Sequence, residues 1–513
     1  MCRNRLFLAL LLACCGTGPL AAATPQQAAL DAARAFRERH GAEVLAQLAD
    51  LAAIPNVDGD RENIRRNADW LVGQLAARKV QSSLWTLGDS SPVVWGRLDV
   101  PGATRTLGLY VHYDGQPVDP AAWKSTAPFS PRLYDRALEA GGKPIPMPAP
   151  GATLDPEWRL YGRSTGDDKA PIPALLAALD ALAAAGLSPT SNLRFLFEGE
   201  EEAGSTHLGD YFRAHRPELD EVDLWLILDG PVHQSRKPQL VFGVRGVVGL
   251  EITVYGATRP LHSGHYGNWA PNPAFELARL LATMKDAEDQ VVIEGFYDST
   301  VPPGPAERAA LARLPVYDEE LRRELGLATT EAAGALLAER LLLPSLNVRG
   351  LSAAQTGQRA ANVIPAVAVA SLDLRLVKGN DPEKMLDTVE AHVRRQGFHV
   401  VRTDPDAATR AAHGRIAKIV RQPGYPAART AMDLPILAPV VAAATAAAGA
   451  PPLLVPSLGG SLPLYLFTEL LAKPTVIVPI ANHDDNQHAA DENLRVANLL
   501  AGIDLFAALL AMP

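Results

Sequence analysis

Short apolar runs alternate with longer segments of helical spacing along most of the chain. Residues 25–55 and 62–80 read as helices, the first ending near Ile54 and Pro55. The runs Val93–Leu98, Leu107–His112, Leu193–Glu198 and Leu224–Asp229 read as strands, with a helix predicted over 172–185. Strands alternating with helices predict a layered α/β sheet. Residues 135–157 break this rhythm. Their centre, GGKPIPMPAPG from Gly141 to Gly151, holds no regular element and predicts a long loop, a candidate wall for a substrate pocket.

A second texture begins near Phe242. Leu250–Tyr255 alternates as a strand, Asn272 and Pro273 open a helix over 272–289, and 305–342 reads as a long helical region. Val367–Val377 is another predicted strand, so this stretch suits a small α+β unit whose sheet is covered on one face. After QPGYP (Gln422–Pro426), read as a return linker, the α/β texture resumes. A helix over 436–448, strands at Leu453–Pro456 and Thr475–Ile480 and a final helix from Asn493 complete it. The predicted organisation is a leader at 1–23, a first α/β part at 24–242, an inserted unit at 243–424 and a second α/β part at 425–513.

At 513 residues, 48% hydrophobic and 20% charged, the composition is that of a folded chain with large cores. The leader reading rests on Arg3 and Arg5 before an apolar stretch from Leu6 to Cys15, too short to span a bilayer, and on Ala21–Ala23 before a cleavage point at Thr24. It predicts a secreted or periplasmic protein; a rival reading lipidates Cys14. All three cysteines, Cys2, Cys14 and Cys15, lie in that leader. Cleavage would therefore leave no disulfide, thiolate metal site or cysteine nucleophile. The net charge of −9 without a basic cluster argues against a nucleic-acid partner, and no second long apolar segment suggests a membrane span.

Chemistry-bearing residues gather where predicted strands end. His112 and Asp114 stand two apart at the close of one strand and so leave on the same face. Taken alone, a surface histidine and a turn aspartate would account for them. Asp167 and Asp168 precede a helix, where capping is an ordinary role for aspartate. FLFEGEEEAGS (Phe195–Ser205) is harder to explain as a solvated loop, since crowded carboxylates repel unless cations offset them. Asp229 closes another apolar run, and NHDDNQH (Asn482–His488) follows Val476–Ile480. Strand ends of this kind can converge on one rim. Imidazole and carboxylate without thiolate suit Zn²⁺, Mn²⁺ or Co²⁺, and a bridging carboxylate could join two such ions about 3.5–4 Å apart.

In order and spacing these stretches resemble the M20 family of metallopeptidases, the group containing carnosine dipeptidases, carboxypeptidase G and succinyl-diaminopimelate desuccinylase. The resemblance is carried by HYDGQPVDP (His112–Pro120), Trp123, Pro128–Phe129, YGR (Tyr161–Arg163), DDK (Asp167–Lys169), EEAGS (Glu201–Ser205), LHSG (Leu261–Gly264) and HAADEN (His488–Asn493). It covers about residue 60 to the end. It implies a metal-dependent exopeptidase catalytic domain of α/β class with an inserted α+β lid and dimerisation domain.

For single residues the resemblance implies two divalent ions, zinc first, with manganese or cobalt as alternatives. His112 and Asp229 would hold one, Glu202 and His488 the other, and Asp167 would bridge them, with the Asp167–Asp168 peptide cis. Glu201 would be the general base. Asp114 would support the His112 ring and touch only that residue. His488 fits better than His483, because only His488 has Glu492 and Asn493 at the family spacing; His483 and Asp485 would then be supporting or structural. His262 would reach the substrate carbonyl or oxyanion in the partner subunit's site. Asn362, Arg375, Gly460 and Ser461 match substrate-binding positions, although Arg375 also fits as a strand-surface arginine. Three positions depart from the family pattern: Gly115 where valine is common, and Ser164 and Ala170 where glycine is usual.

These parts imply hydrolysis of an amide bond in a dipeptide, or of the C-terminal residue of a short peptide, by an activated water. An aminoacylase acting on N-acyl amino acids would use the same machinery. A solute-binding protein, the reading from a different class, has no need of so many ligand groups on one rim. A zinc protease of the H-E-x-x-H type is disfavoured, since that motif does not occur.

Overall fold

The computed structural model describes residues 24–332 and 334–513. An eight-stranded sheet runs in the order Gln81–Trp85, Val93–Leu98, Asn192–Glu198, Thr106–His112, Leu224–Ile227, Thr475–Ile477, Gln239–Val241, Leu453–Val455. Its central strands, from Asn192–Glu198 to Thr475–Ile477, are mutually parallel. Thr106–His112 is buried at every position, as a strand covered on both faces must be. One face is covered by the helices Pro25–Ala52, Pro171–Ala184 and Val496–Leu510, which pack Leu45, Leu48, Leu176, Leu499 and Ile503 against the sheet. Trp225, Phe212 and Phe467 fill the opposite side. Thr24 starts the first helix by accepting from the Gln27 amide, with Pro25 in the first turn, where a missing N–H costs nothing.

The chain leaves this sheet after Val241 and rejoins it at Leu453. Between them lies a five-stranded sheet in the order Ser345–Ser352, Val367–Leu376, Gly246–Tyr255, Ile416–Tyr425, His399–Val401. Helices Pro273–Ala282 and Pro382–Arg395 lay Leu277, Leu280, Met385 and Val389 onto Leu250, Ile252, Leu372 and Leu374. The fold is therefore the expected α/β sheet with an α+β insert covered on one face.

Local expectations fail at four places, each for a physical reason. Residues 305–342 form three short helices, Pro305–Leu311, Asp318–Glu324 and Leu337–Arg340. Pro315 interrupts the first junction. Gly326, at φ 67°, ends the second helix with Leu327 N–H donating to the Arg322 carbonyl. The helix expected over 272–289 stops at Ala282, and the Asp286 side chain then accepts the Glu288 and Gln290 amides in a turn. Gln422–Tyr425 is the end of a strand, not a linker. Gly424 is required there, because a Cβ would sit 2.2 Å from the Val247 carbonyl oxygen. The last helix begins at Val496, since Asn493–Arg495 pairs with Arg159–Tyr161. Residues 135–157 hold no strand or α-helix, as expected, and form a strap over the first helix, with Leu154 against Gly41 and Ile145 packed on the core.

Candidate metal and active site

The parallel strands end on one rim, the place where open α/β sheets collect ligands. His112 ends its strand with its side chain fully buried. Glu198 lies opposite it in the neighbouring strand and leads into Glu200–Glu202; Asp229 lies two residues past Ile227 on the other side. A three-stranded sheet, Asn493–Arg495, Arg159–Tyr161 and Arg132–Tyr134, sets the segments around Asp167 and His488 side by side.

Asp167 stands at the centre of the group. Its Oδ1 is 3.0 Å from His112 Nε2 and its Oδ2 is 3.1 Å from His488 Nε2. His488 Nε2 is also 3.2 Å from Glu202 Oε2. Glu201 Oε2 and Asp229 Oδ2 each lie 4.0 Å from His112 Nε2. The Asp167–Asp168 peptide is cis. Asn486, His488 and Asp491 all take positive φ, so three residues of one loop hold the left-handed conformation beside the rim.

The supporting bonds correct one expectation. His112 Nδ1 lies 3.3 Å from Asp114 Oδ1, but Asp114 does not serve that residue alone. It accepts the backbone amides of Glu201 at 3.1 Å and Glu202 at 2.9 Å, because the acidic turn wraps over it. One buried carboxylate thus fixes both a histidine and the Glu201–Glu202 turn. Glu492 does the same for the aspartate turn: fully buried, it accepts from the Ser164, Gly166 and Asp167 amides and from Arg163 at 2.7 Å. His483 faces Asp484 at 3.8 Å, away from the cluster, and Asp485 accepts the Gln487 amide.

Two glutamines escaped the sequence reading. Gln487 donates to Asp167 Oδ2 and Gln116 to Glu202 Oε2, both at 2.8 Å. They stand in the quoted stretches HYDGQP and DNQH, but a neutral amide in a turn gives no signal of its own. Asp168 was also left without a role. Both of its carboxylate oxygens are buried and lack a hydrogen-bond partner.

The electrostatics suit a cation. Burial, reinforced by neighbouring carboxylates, pushes Glu201 and Asp168 well above the usual carboxylate range and Asp229 up to about 7. Asp167 goes the other way: burial opposes its charge, but bonds from His112 and His488 overcome that and hold it low. Asp167 and Glu202 raise His488 to about 10. Two sets of donor atoms, His112–Asp167–Glu202 and His112–Asp168–Asp229, each lie within 4.8 Å of one another. Buried, mutually repelling oxygens with imidazole and no thiolate fit divalent ions of the zinc, manganese or cobalt type.

A cleft of about 480 Å³ opens over the group, lined by Asp167, Glu201, Glu202, Asp229 and His488 with Tyr425, Gly460 and Ser461. The strap 135–157 does not line it, which corrects the expectation of a pocket wall. Arg375 Nη1 donates to Ser461 Oγ at 2.9 Å, so these two candidates meet. His262 and Asn362 do not line the cleft. His262 lies in a two-stranded ribbon, Leu261–His262 with Val363–Ile364, and Asn362 directly precedes the second strand; both are exposed, and the Asn362 carbonyl accepts the Ser263 amide. No helix among the described residues is long and apolar enough to cross a membrane.

A model of peptidase family M20/M25/M40 matches residues 108–512. The chain is 26% identical over 483 residues to the Cys-Gly metallodipeptidase of Schizosaccharomyces pombe, covering 90% of this chain and 94% of that protein. It is 26% identical over 423 residues to human Beta-Ala-His dipeptidase, covering 81% and 76%. The M20 family metallo-carboxypeptidase Sso-CP2 from Sulfolobus solfataricus superposes with a TM-score of 0.74 at 27% identity, covering 92% of this chain and 99% of that one. The expectation of a secreted or periplasmic protein is corrected by these comparisons, since the yeast relatives are cytosolic or intracellular enzymes. A short apolar run behind two arginines does not by itself specify export. The leader, with Cys14 and its cleavage point, lies outside the described residues.

Proposed function

The chain belongs to peptidase family M20/M25/M40, and on that premise we propose that it hydrolyses the amide bond of dipeptides or the C-terminal bond of short peptides. His112 and Asp229 would hold one divalent ion and Glu202 and His488 a second, with Asp167 placed between the two histidines to serve both. The observation that carries this reading is Asp167 itself, whose two oxygens face His112 and His488 from opposite sides. When bound, the ions supply an activated water and polarise the scissile carbonyl.

The side chains do the rest. Glu201 accepts the proton of the attacking water and returns it to the leaving amine; its raised carboxyl, caused first by burial, suits both transfers. Asp114 keeps that base in register by holding the Glu201 and Glu202 amides while it faces the His112 ring. Gly460, Ser461 and Arg375 take the substrate's carboxylate end. The inserted unit, residues 243–424, serves as lid and dimerisation domain, and His262 and Asn362 reach the cleft of a second copy of the chain. Exposed Trp269, Phe275 and Leu351 on that unit support an interface between copies.

The test is turnover of Cys-Gly and β-Ala-His by metal-stripped protein resupplied with zinc, manganese or cobalt, alongside N-acetyl amino acids. Glu201→Gln is expected to abolish hydrolysis while calorimetry still finds two metal equivalents. Retained turnover would remove Glu201 from the base role. Preference for the N-acetyl amino acids would make the enzyme an aminoacylase, and absence of any hydrolysis would favour a binding protein.

A further inference from the structure

Tyr425 is the one phenol side chain lining the cleft among the described residues, and no role has been given to it. It closes the strand on which the inserted unit returns. The register of the five-stranded sheet pairs Val247 with Arg375 on one side and with Tyr425 on the other. Directly opposed residues in antiparallel strands share a face, so Arg375, Val247 and Tyr425 stand in a row. At the usual strand spacing, the stems of Arg375 and Tyr425 are about 10 Å apart. Ser461 accepts from Arg375 at 2.9 Å and lines the cleft together with Tyr425. The phenol ring is steadied by Tyr465, stacked at 5.6 Å and 14°.

The charge on this side of the cleft is not balanced. Arg245 is buried with its Nε lacking a hydrogen-bond partner, and its other contacts are the Leu343 carbonyl and Ser345. Burial, and then the charge of Arg375, pushes it down to about 10. Among the described residues Asp373, 3.4 Å from Arg375, is the single carboxylate that touches this pair. Two cations against one anion invite a second anion. Burial first, with Glu201 adding to it, holds the Tyr425 phenol at about 12, so it remains an O–H donor at neutral pH.

We propose that Tyr425 is a specificity-determining residue whose hydroxyl, with Arg375 and Ser461, holds the free C-terminal carboxylate of the substrate. This rests on the dipeptidase reading above and deepens it: peptides ending in a free carboxylate are bound more tightly than those whose terminus is neutral.

The test compares Ala-Gly with its C-terminal amide on zinc-loaded Glu201→Gln protein, with and without Tyr425→Phe, by titration calorimetry. Tyr425→Phe is expected to weaken Ala-Gly about 10-fold, the loss of one hydrogen bond to a charged group. The amide should change less than about 2-fold, having no charge to lose. Equal weakening of both peptides, or of neither, overturns the proposal, because a merely structural tyrosine does not read the terminus. Turnover by the protein with Glu201 intact is a separate arm. If it cleaves no dipeptide yet the calorimetric difference persists, the hydrolytic reading falls and the carboxylate subsite stands.

Discussion

The rim of the parallel sheet and the ribbon of the inserted unit both carry histidines, yet they are built in opposite ways. On the rim, His112 is fully buried, bracketed by Asp114 and Asp167, and covered by the Glu201–Glu202 turn. On the ribbon, His262 is exposed, and its Nδ1 accepts only the Gly264 amide two residues away, at 3.1 Å. The rim gathers its groups by bonds within one chain, whereas the ribbon presents its group outward to solvent. A substitution on the rim should therefore read out in stability and metal binding together, and one on the ribbon in activity alone.

The hardest test of the rim is Glu492→Ala. It removes the acceptor of three backbone amides and strands the buried Arg163, whose planar fork also lies over the Trp123 ring at 5.5 Å. Breaking such a buried pair costs about 3–5 kcal/mol, and urea unfolding should show it along with weakened zinc binding. A loss below about 1 kcal/mol, the worth of an ordinary surface pair, would mean that the aspartate turn holds itself without Glu492.

How much of this was legible follows from the same contrast. The strand ends and acids of the rim were readable because short continuous apolar runs and adjacent acids are local patterns. The joint task of Asp114 was not readable, since its amide partners at Glu201 and Glu202 are far along the chain and unite only through strand pairing. Gln116, Gln487 and Tyr425 carried no signal, being ordinary neutral residues until the cleft closes around them. The strap at 135–157 was correctly seen as irregular and wrongly aimed, because composition tells that a segment lacks regular structure but not which face it covers. The ribbon's His262 was legible only as a matched motif.

A smaller effect separates packing from chemistry on the rim. A Cβ at Gly115 would lie 2.3 Å from Ser164 Oγ and 3.0 Å from Asn56 Nδ2. Ser164 itself sits at φ 62° and accepts from Asn56 Nδ2 at 2.9 Å. Positions 115 and 164 therefore share one gap, so that volume added at one must be removed at the other. Gly115→Ala is expected to cost about 1–3 kcal/mol of overpacking. Adding Ser164→Gly should recover most of it in a double-mutant cycle of unfolding free energies, since glycine also accepts the positive φ freely. Purely additive losses would show that the two positions are independent.

The smallest stability effect belongs to the ribbon. His262→Ala, at an exposed side chain with one local bond, should shift unfolding by no more than about 0.5 kcal/mol. Its zinc affinity should match that of the unaltered protein, while kcat falls and KM for Cys-Gly changes little. Mixing it with Glu201→Gln protein distinguishes a site completed by a second copy from one completed by lid closure in the same chain. If His262 serves the partner, unfolding and refolding the mixture should restore activity to on the order of a quarter of the unaltered enzyme's, because half of randomly formed dimers pair unlike subunits and one of their two sites is whole. If His262 folds back onto its own cleft, every subunit carries one lesion in its own site, and the mixture stays as inactive as its parts.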